Sequence, residues 1–245
     1  MHITLTPMRH DLPLALLRAG DVLVINGSAY DFGPLPEGAL LPRVAVDCAW
    51  LAGDITRSAG QLRLALILPH GAEAGFDQLH PAALLLSQDG PVSAPGLTAP
   101  NWPTTAPGNI DWAHLIPAEA LAAAALATAK SAARAEITAR ISAARSAMIT
   151  TLPGQQMIYL AKEAEARAFL TDPAPDLAAY PLLSAEIGIT APNALQLAQI
   201  WLNMGDLWRS TAAGLEALRL GSAAAVEAAG TVAEVEAAMG VFEGE

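Results

Sequence analysis

Hydrophobic and polar residues alternate over the first part of the chain and then change period. His2–Thr6 alternates with period two, the spacing of a half-buried strand. Leu14–Arg18, Val22–Ile25, Ala29–Phe32, Val44–Leu51, Ile55–Arg57 and Gln61–Leu68 read as further short strands between turn residues. The strongest local signal is Asn26-Gly27-Ser28 between two apolar runs. A type I′ hairpin turn needs positive φ at both central residues, which Asn and Gly tolerate. Ala82–Leu86 fits one more short strand or a helical turn. This density of strands and turns predicts a small antiparallel β domain, a sandwich or barrel, over residues 1–90.

The period then lapses. Pro91–Pro107 holds prolines at 91, 95, 100, 103 and 107, which predicts a proline-rich linker over 91–112 or a strap along a surface. Trp102 and Trp112 lie in and just after it, and each is expected to dock onto protein.

From Pro117 the pattern is helical. Residues 118–149 hold 15 alanines in 32 positions, and alanine is the best helix former. One helix over Pro117–Leu152 would reach ~50 Å. Along it Ile137, Ile141, Ala144, Met148 and Thr151 recur at 4-3-4-3 spacing, a short heptad-like seam expected to self-associate as a coiled coil. Gln155–Thr171, Asp176–Ile187 and Asn193–Ala229 read as further helices, the last with Leu195, Trp201, Trp208, Leu215 and Leu218 as expected core contacts. Thr231–Met239 adds a short helix before an acidic end. The expected class is α+β: an N-terminal β domain, a proline-rich linker, and a long-helix domain over 113–245.

Charge narrows the partners. The chain of 245 residues carries a formal charge of −11, and the excess of acid is spread over both halves. Residues 1–112 hold 5 basic and 10 acidic side chains, residues 113–245 hold 8 and 14. Such a field repels nucleic acid, whose binding depends on cations that displace phosphate counterions. No anionic membrane surface would attract it either. Ala120–Ala129, the most continuous apolar tract, is too short for a bilayer, which needs ~20 residues. The N-terminus has no basic region followed by an apolar run, so a signal peptide is not expected. The single cysteine, Cys48, allows no intrachain disulfide and reads as a small core residue on a strand.

Candidate chemistry is sparse. Phosphate-binding glycine loops, metalloprotease helices and nucleophile elbows are all absent from the sequence. His70 and His80 with Asp77 lack a third ligand for a metal, and His10-Asp11 lacks a nucleophile. Neither an enzyme nor a cofactor is expected. Glu163 and Arg167 form an i,i+4 pair that fits a solvated helix face. Trp201 and Trp208, seven apart, share one helix face and suit either interhelical packing or docking. Ile137, Ile141, Met148, Trp201 and Trp208 are therefore the candidate oligomerisation or docking residues.

Several phrases resemble known proteins. Thr4-Leu5-Thr6-Pro7, Arg18-Ala19-Gly20-Asp21, Ile25-Asn26-Gly27, Asp31-Phe32-Gly33-Pro34-Leu35-Pro36-Glu37-Gly38, Trp50-Leu51-Ala52-Gly53-Asp54-Ile55 and Leu66-Ile67-Leu68-Pro69-His70-Gly71 are similar to the start of small proteins from tail-gene regions of alphaproteobacterial phages and prophages. Met157–Ala166, Tyr180–Thr190 and the Trp208-containing helix resemble a helical module of tailed-phage tail-fibre and fibre-associated proteins. The resemblance implies a structural protein of the tail, at the baseplate or fibre base. It implies other tail, baseplate or fibre proteins as partners, a homo-oligomer with a trimer favoured, and location in the virion after assembly in the host cytoplasm. The alternative is a fibre-assembly chaperone that the mature particle does not retain. No catalytic residue comes with the resemblance.

Overall fold

A computed structural model describes residues 1–150 and 152–242. Thr151, the last position of the expected seam, and the acidic end at 243–245 lie outside the described residues. The chain is α+β and divides into two compact units, Met1–Ala124 and Ala125–Glu245.

In the first unit, strands β1 (His2–Arg9), β2 (Leu14–Ala19), β3 (Val22–Ile25) and β4 (Ser28–Asp31) are followed by the short β5 (Leu40–Leu41), then β6 (Ile55–Ser58) and β7 (Gln61–His70). A single helical turn, α1 (Phe76–Leu79), precedes four two-residue strands: β8 (Leu84–Leu85), β9 (Gly90–Pro91), β10 (Leu97–Thr98) and β11 (Ala106–Pro107). One sheet has the order β5-β6-β7-β1-β8, the other β10-β2-β3-β4-β11 with β9 also paired to β2. Alternation places Ile3 and Leu5 of β1, and Leu62, Leu64, Leu66 and Leu68 of β7, in one core shared with Leu14, Leu16, Leu23 and Ile25 of the second sheet.

The Asn26-Gly27 turn has φ of 47° and 88°, as the hairpin signal requires. Within the expected β domain one pairing is different in kind: β1 and β7, the longest ladder, run parallel. Val44–Leu51 is not a strand. It begins with a 3₁₀ turn at Arg43–Ala45, and Cys48 is buried in irregular chain. The backbone of this stretch bonds outward instead, Asp47 N–H to Asn109 C=O at 3.0 Å and Ile67 N–H to Trp50 C=O at 2.8 Å.

The proline-rich segment is a strap belonging to the first unit, not a linker between modules. Its pieces β9, β10 and β11 add to β2 and β4, and Val46 bridges to Ile110. Proline lacks an N–H, so this segment can supply only short edge pairings. Both tryptophans dock as expected. Trp112 packs on the core, and Trp102 lies over Gly27, where an added Cβ would sit 3.6 Å from the indole. Gly108 is obligatory for another reason: an added Cβ would meet the Tyr30 ring at 2.4 Å.

The boundary between the units falls within α2 (Ala118–Ala147) rather than at residue 112 or 113. After it come α3 (Gln155–Thr171), α4 (Pro181–Glu186), α5 (Ala194–Ala228) and α6 (Val232–Met239). Asn193 caps α5 through its side chain, which accepts from Gln196 N–H at 2.9 Å. Thr231 does the same for α6 through Glu234 N–H at 3.2 Å.

A line of buried or half-buried positions steps 4-3-4-3 along the whole length of α5, at 194, 198, 201, 205, 208, 212, 215, 219, 222 and 226, with further covered positions such as Leu197 beside it. That stripe serves two clusters. Its first part packs Leu197, Ala198 and Trp201 on Ala166 of α3 and Leu183 of α4. Its last part packs Val226 on Ile137 and Ile141 of α2 and Val235 of α6. Small residues let α3 approach closely: an added Cβ on Gly205 would lie 3.3 Å from the Glu163 carboxylate. Leu195, expected in the core, is exposed because it falls off this stripe.

Candidate functional site

The two best-placed residues of the expected seam turn inward. Ile137 and Ile141 are 2% and 3% exposed, covered by Val226 and Val235 of the same chain. Their assignment as oligomerisation residues is corrected accordingly: α2 already has its partner helix in α5. Two ion pairs follow that packing, Arg134 with Glu227 and Arg145 with Glu216 at 2.5 Å, and Arg219 of α5 itself also holds Glu216 at 2.5 Å.

Trp201 is likewise a core residue and not a docking anchor. It is buried in the α3–α4–α5 cluster with the Lys162 ammonium 5.0 Å above its ring, and Lys162 also pairs with Glu186. Trp208 continues the same stripe and is half-buried. Of the five candidates only Met148, at the end of α2, is exposed.

The remaining polar groups of the helical unit act locally. Glu165 accepts from the N–H groups of Leu182 and Leu183 at 3.0 and 3.1 Å, satisfying the start of α4. Glu163 accepts from Arg167 at 2.8 Å and Arg209 at 2.6 Å, and these two guanidiniums hold its carboxyl below the usual range. Glu216, bound by Arg219 and then Arg145, is held down at about 2.

In the first unit the phrase Asp31–Gly38 is structural. Asp31 closes its own turn onto Gly33 N–H at 2.8 Å, and Phe32 and Leu35 are buried. Glu37 accepts from Ala59 and Gly60 N–H at 2.5 and 3.0 Å, capping the β6–β7 turn. Arg57 reaches across to Asp21 at 2.8 Å and to Leu35 C=O at 2.7 Å. Tyr30 donates to Asp47 C=O at 2.8 Å, and burial first, then Cys48, pushes its phenol up to about 12.

The histidine candidates do not converge. His10 packs tilted against Trp50, ring centroids 5.0 Å apart, and accepts from Leu12 N–H. His80 contacts Phe76 at 4.5 Å beside a cleft of about 220 Å³ that Leu5, Asp77 and Leu84 also line. Among the described residues no group of three or more His, Cys, Asp or Glu could hold a metal ion, and no helix is long and apolar enough to cross a membrane. An open groove of about 480 Å³ between α2 and α6 is floored by Ala129, Ala133 and Val235 and rimmed by Glu136 and Arg140, which pair with each other at 2.6 Å.

A different surface stands out at the start of α3. Every residue from Gln156 to Ala161, more than a full turn at the start of α3, is exposed. Four of them are Met157, Ile158, Tyr159 and Leu160. Just before them in the chain lie the exposed Met148 and Leu152. The sequence carried a signal for this tip: no charged residue occurs between Arg145 and Lys162. The tip is tied locally by Tyr159, whose phenol is lowered chiefly by hydrogen bonding to the Thr150 side chain.

No family model matches the chain, and no curated protein or solved structure gives a match.

Proposed function

We propose that this chain is a structural component of a tailed-phage tail, placed at the baseplate or the base of a tail fibre, assembled in the host cytoplasm and kept in the virion. In this reading the β unit docks to the tail and the helical unit meets other tail or fibre proteins. The observation that carries it is the exposed, charge-free tip of the helical unit. Exposed apolar side chains clustered along a folded chain are a mark of protein-contact sites. Part of that tip, Met157–Ala161, lies inside one of the phrases that resemble tail-fibre modules. The N-terminal phrases that resemble tail-region proteins act in holding the β unit together, as Glu37 and Arg57 do. They support a shared scaffold and assign no chemistry to it.

Mass spectrometry of gradient-banded particles tests the reading by counting copies of this chain per tail. A fixed small number, a multiple of three or six, is the expected result. Presence in infected-cell lysate with absence from particles would replace the tail component by an assembly chaperone.

A further inference from the structure

The β2–β3–β4 meander has both of its outer edges taken by one piece of chain. β9 and β10 lie on β2, and β11 lies on β4. Without that piece β2 and β4 would each present unpaired backbone groups, the usual template for pairing with another chain.

The piece is fixed firmly at its ends and lightly between them. At one end Val92 is 7% exposed and donates its N–H to Leu16 C=O at 2.9 Å. At the other, Gly108 N–H donates to Ala29 C=O at 2.7 Å, and the Tyr30 ring fills the space a side chain would need. Every residue from Ser93 to Pro107 is exposed or half-buried. Leu97 reaches the core only in part, and Trp102 lies half-buried over Gly27. Thr98 donates its hydroxyl to Leu14 C=O at 3.3 Å, and Ala106 its N–H to Gly27 C=O at 2.9 Å. Prolines 95, 100, 103 and 107 bring no N–H to strengthen the ladder. Segments with few buried apolar contacts and exposed backbone bonds open at free energies well below that of the whole fold.

We propose that residues 93–107 are a detachable cover, which lifts as one piece from the folded β unit while Val92 and Gly108 stay in place. Lifting uncovers the start of β2 at Leu14 and the start of β4 at Ser28, both beside the Asn26-Gly27 turn. Pro100 and Pro103 stiffen the chain between Leu97 and Ala106, so release of one attachment carries the other with it. Closed, the strap supplies the strands that keep these two edges from another chain. Open, it leaves the Leu14 and Gly27 carbonyls free to accept from an added strand. The device belongs to the β unit alone and does not depend on the tail reading.

The test is hydrogen exchange of the full chain, read by mass spectrometry of peptides over a series of low urea concentrations. In the wild type, 93–99 and 101–107 are expected to share one exchange time, slower than in an unfolded chain and faster than in Gln61–His70 of β7. Their exchange should respond weakly to urea and that of Gln61–His70 steeply, because the slope follows the surface exposed. Trp102→Ala removes a contact beside β4, yet it should speed exchange about tenfold at 93–99 as well as at 101–107. Leu97→Ala, on the β2 side, should speed 101–107 in the same way. A substitution that speeds only its own side, or neither side, overturns the one-piece cover. Exchange at 93–107 with the rate and urea dependence of Gln61–His70 also overturns it, since the strap would then open only with the whole unit. So does exchange at 93–107 as fast as in an unfolded peptide, which would mean that the cover is never closed.

Discussion

Ile141 sets the residue scale. Its spacing suits a contact to another chain, and it lies 3% exposed against Val226 and Val235. A 3.5-residue repeat reports that a helix faces a helix and is silent about which chain supplies the second one. Ile141→Asp should therefore unfold the helical unit, because a buried charge without a partner is costly. The expected loss exceeds ~3 kcal/mol. Met148→Asp, at an exposed position, should stay within ~0.5 kcal/mol of the wild type. Denaturant midpoints followed by helix circular dichroism check both. Equal midpoints for wild type and Ile141→Asp would contradict the packing. Trp201 repeats the point: its position on the stripe was legible, its burial under α3 and α4 was not.

At the scale of elements, local rules served best where a turn or cap acts alone. The Asn26-Gly27 hairpin and the limits of Gln155–Thr171 could be read directly, because positive φ in the turn and Gly154 with Pro173 at the helix ends are local facts. Val44–Leu51 defeated the same reading. Its apolar spacing suits a strand, yet its backbone groups are taken by Asn109, Asp111 and Ile67, a set of partners that no local pattern encodes. The exposed tip was missed for a related reason: period and propensity identify the start of α3 as helix without saying that nothing covers it.

Between α2 and α5 the Glu216 carboxylate joins Arg145 to Arg219. Its folded pKa of about 2 lies below the ordinary 4.5, so its contribution is fully present above pH 4.5 and is lost as pH falls toward 2. Solvent screening keeps that contribution small. Glu163 and Glu227 are also lowered by their arginine partners and add to the same acid-side loss. Glu216→Gln should flatten part of the decline in the urea midpoint between pH 4.5 and 2 and leave the region above it flat. An unchanged pH profile would show the pair to be idle.

For the whole molecule, the acid is distributed over both units. A chain of −11 has no cationic track for phosphates. No band shift of duplex or single-stranded DNA is expected even at low salt, and retention of either would overturn this view of its partners.

The parallel pairing of β1 with β7 carries a consequence in time. His2 aligns with Arg63 and Arg9 with His70, so β1 waits about sixty residues of synthesis for its neighbour. At roughly 5–20 residues per second that is several seconds of synthesis. During it Ile3 and Leu5 have no sheet to enter, while the β2–β3–β4 meander can close as it emerges. The meander is then the natural nucleus. β1 is then locked in only after β7 has emerged, and nascent-chain chaperones have a long opportunity at His2–Arg9.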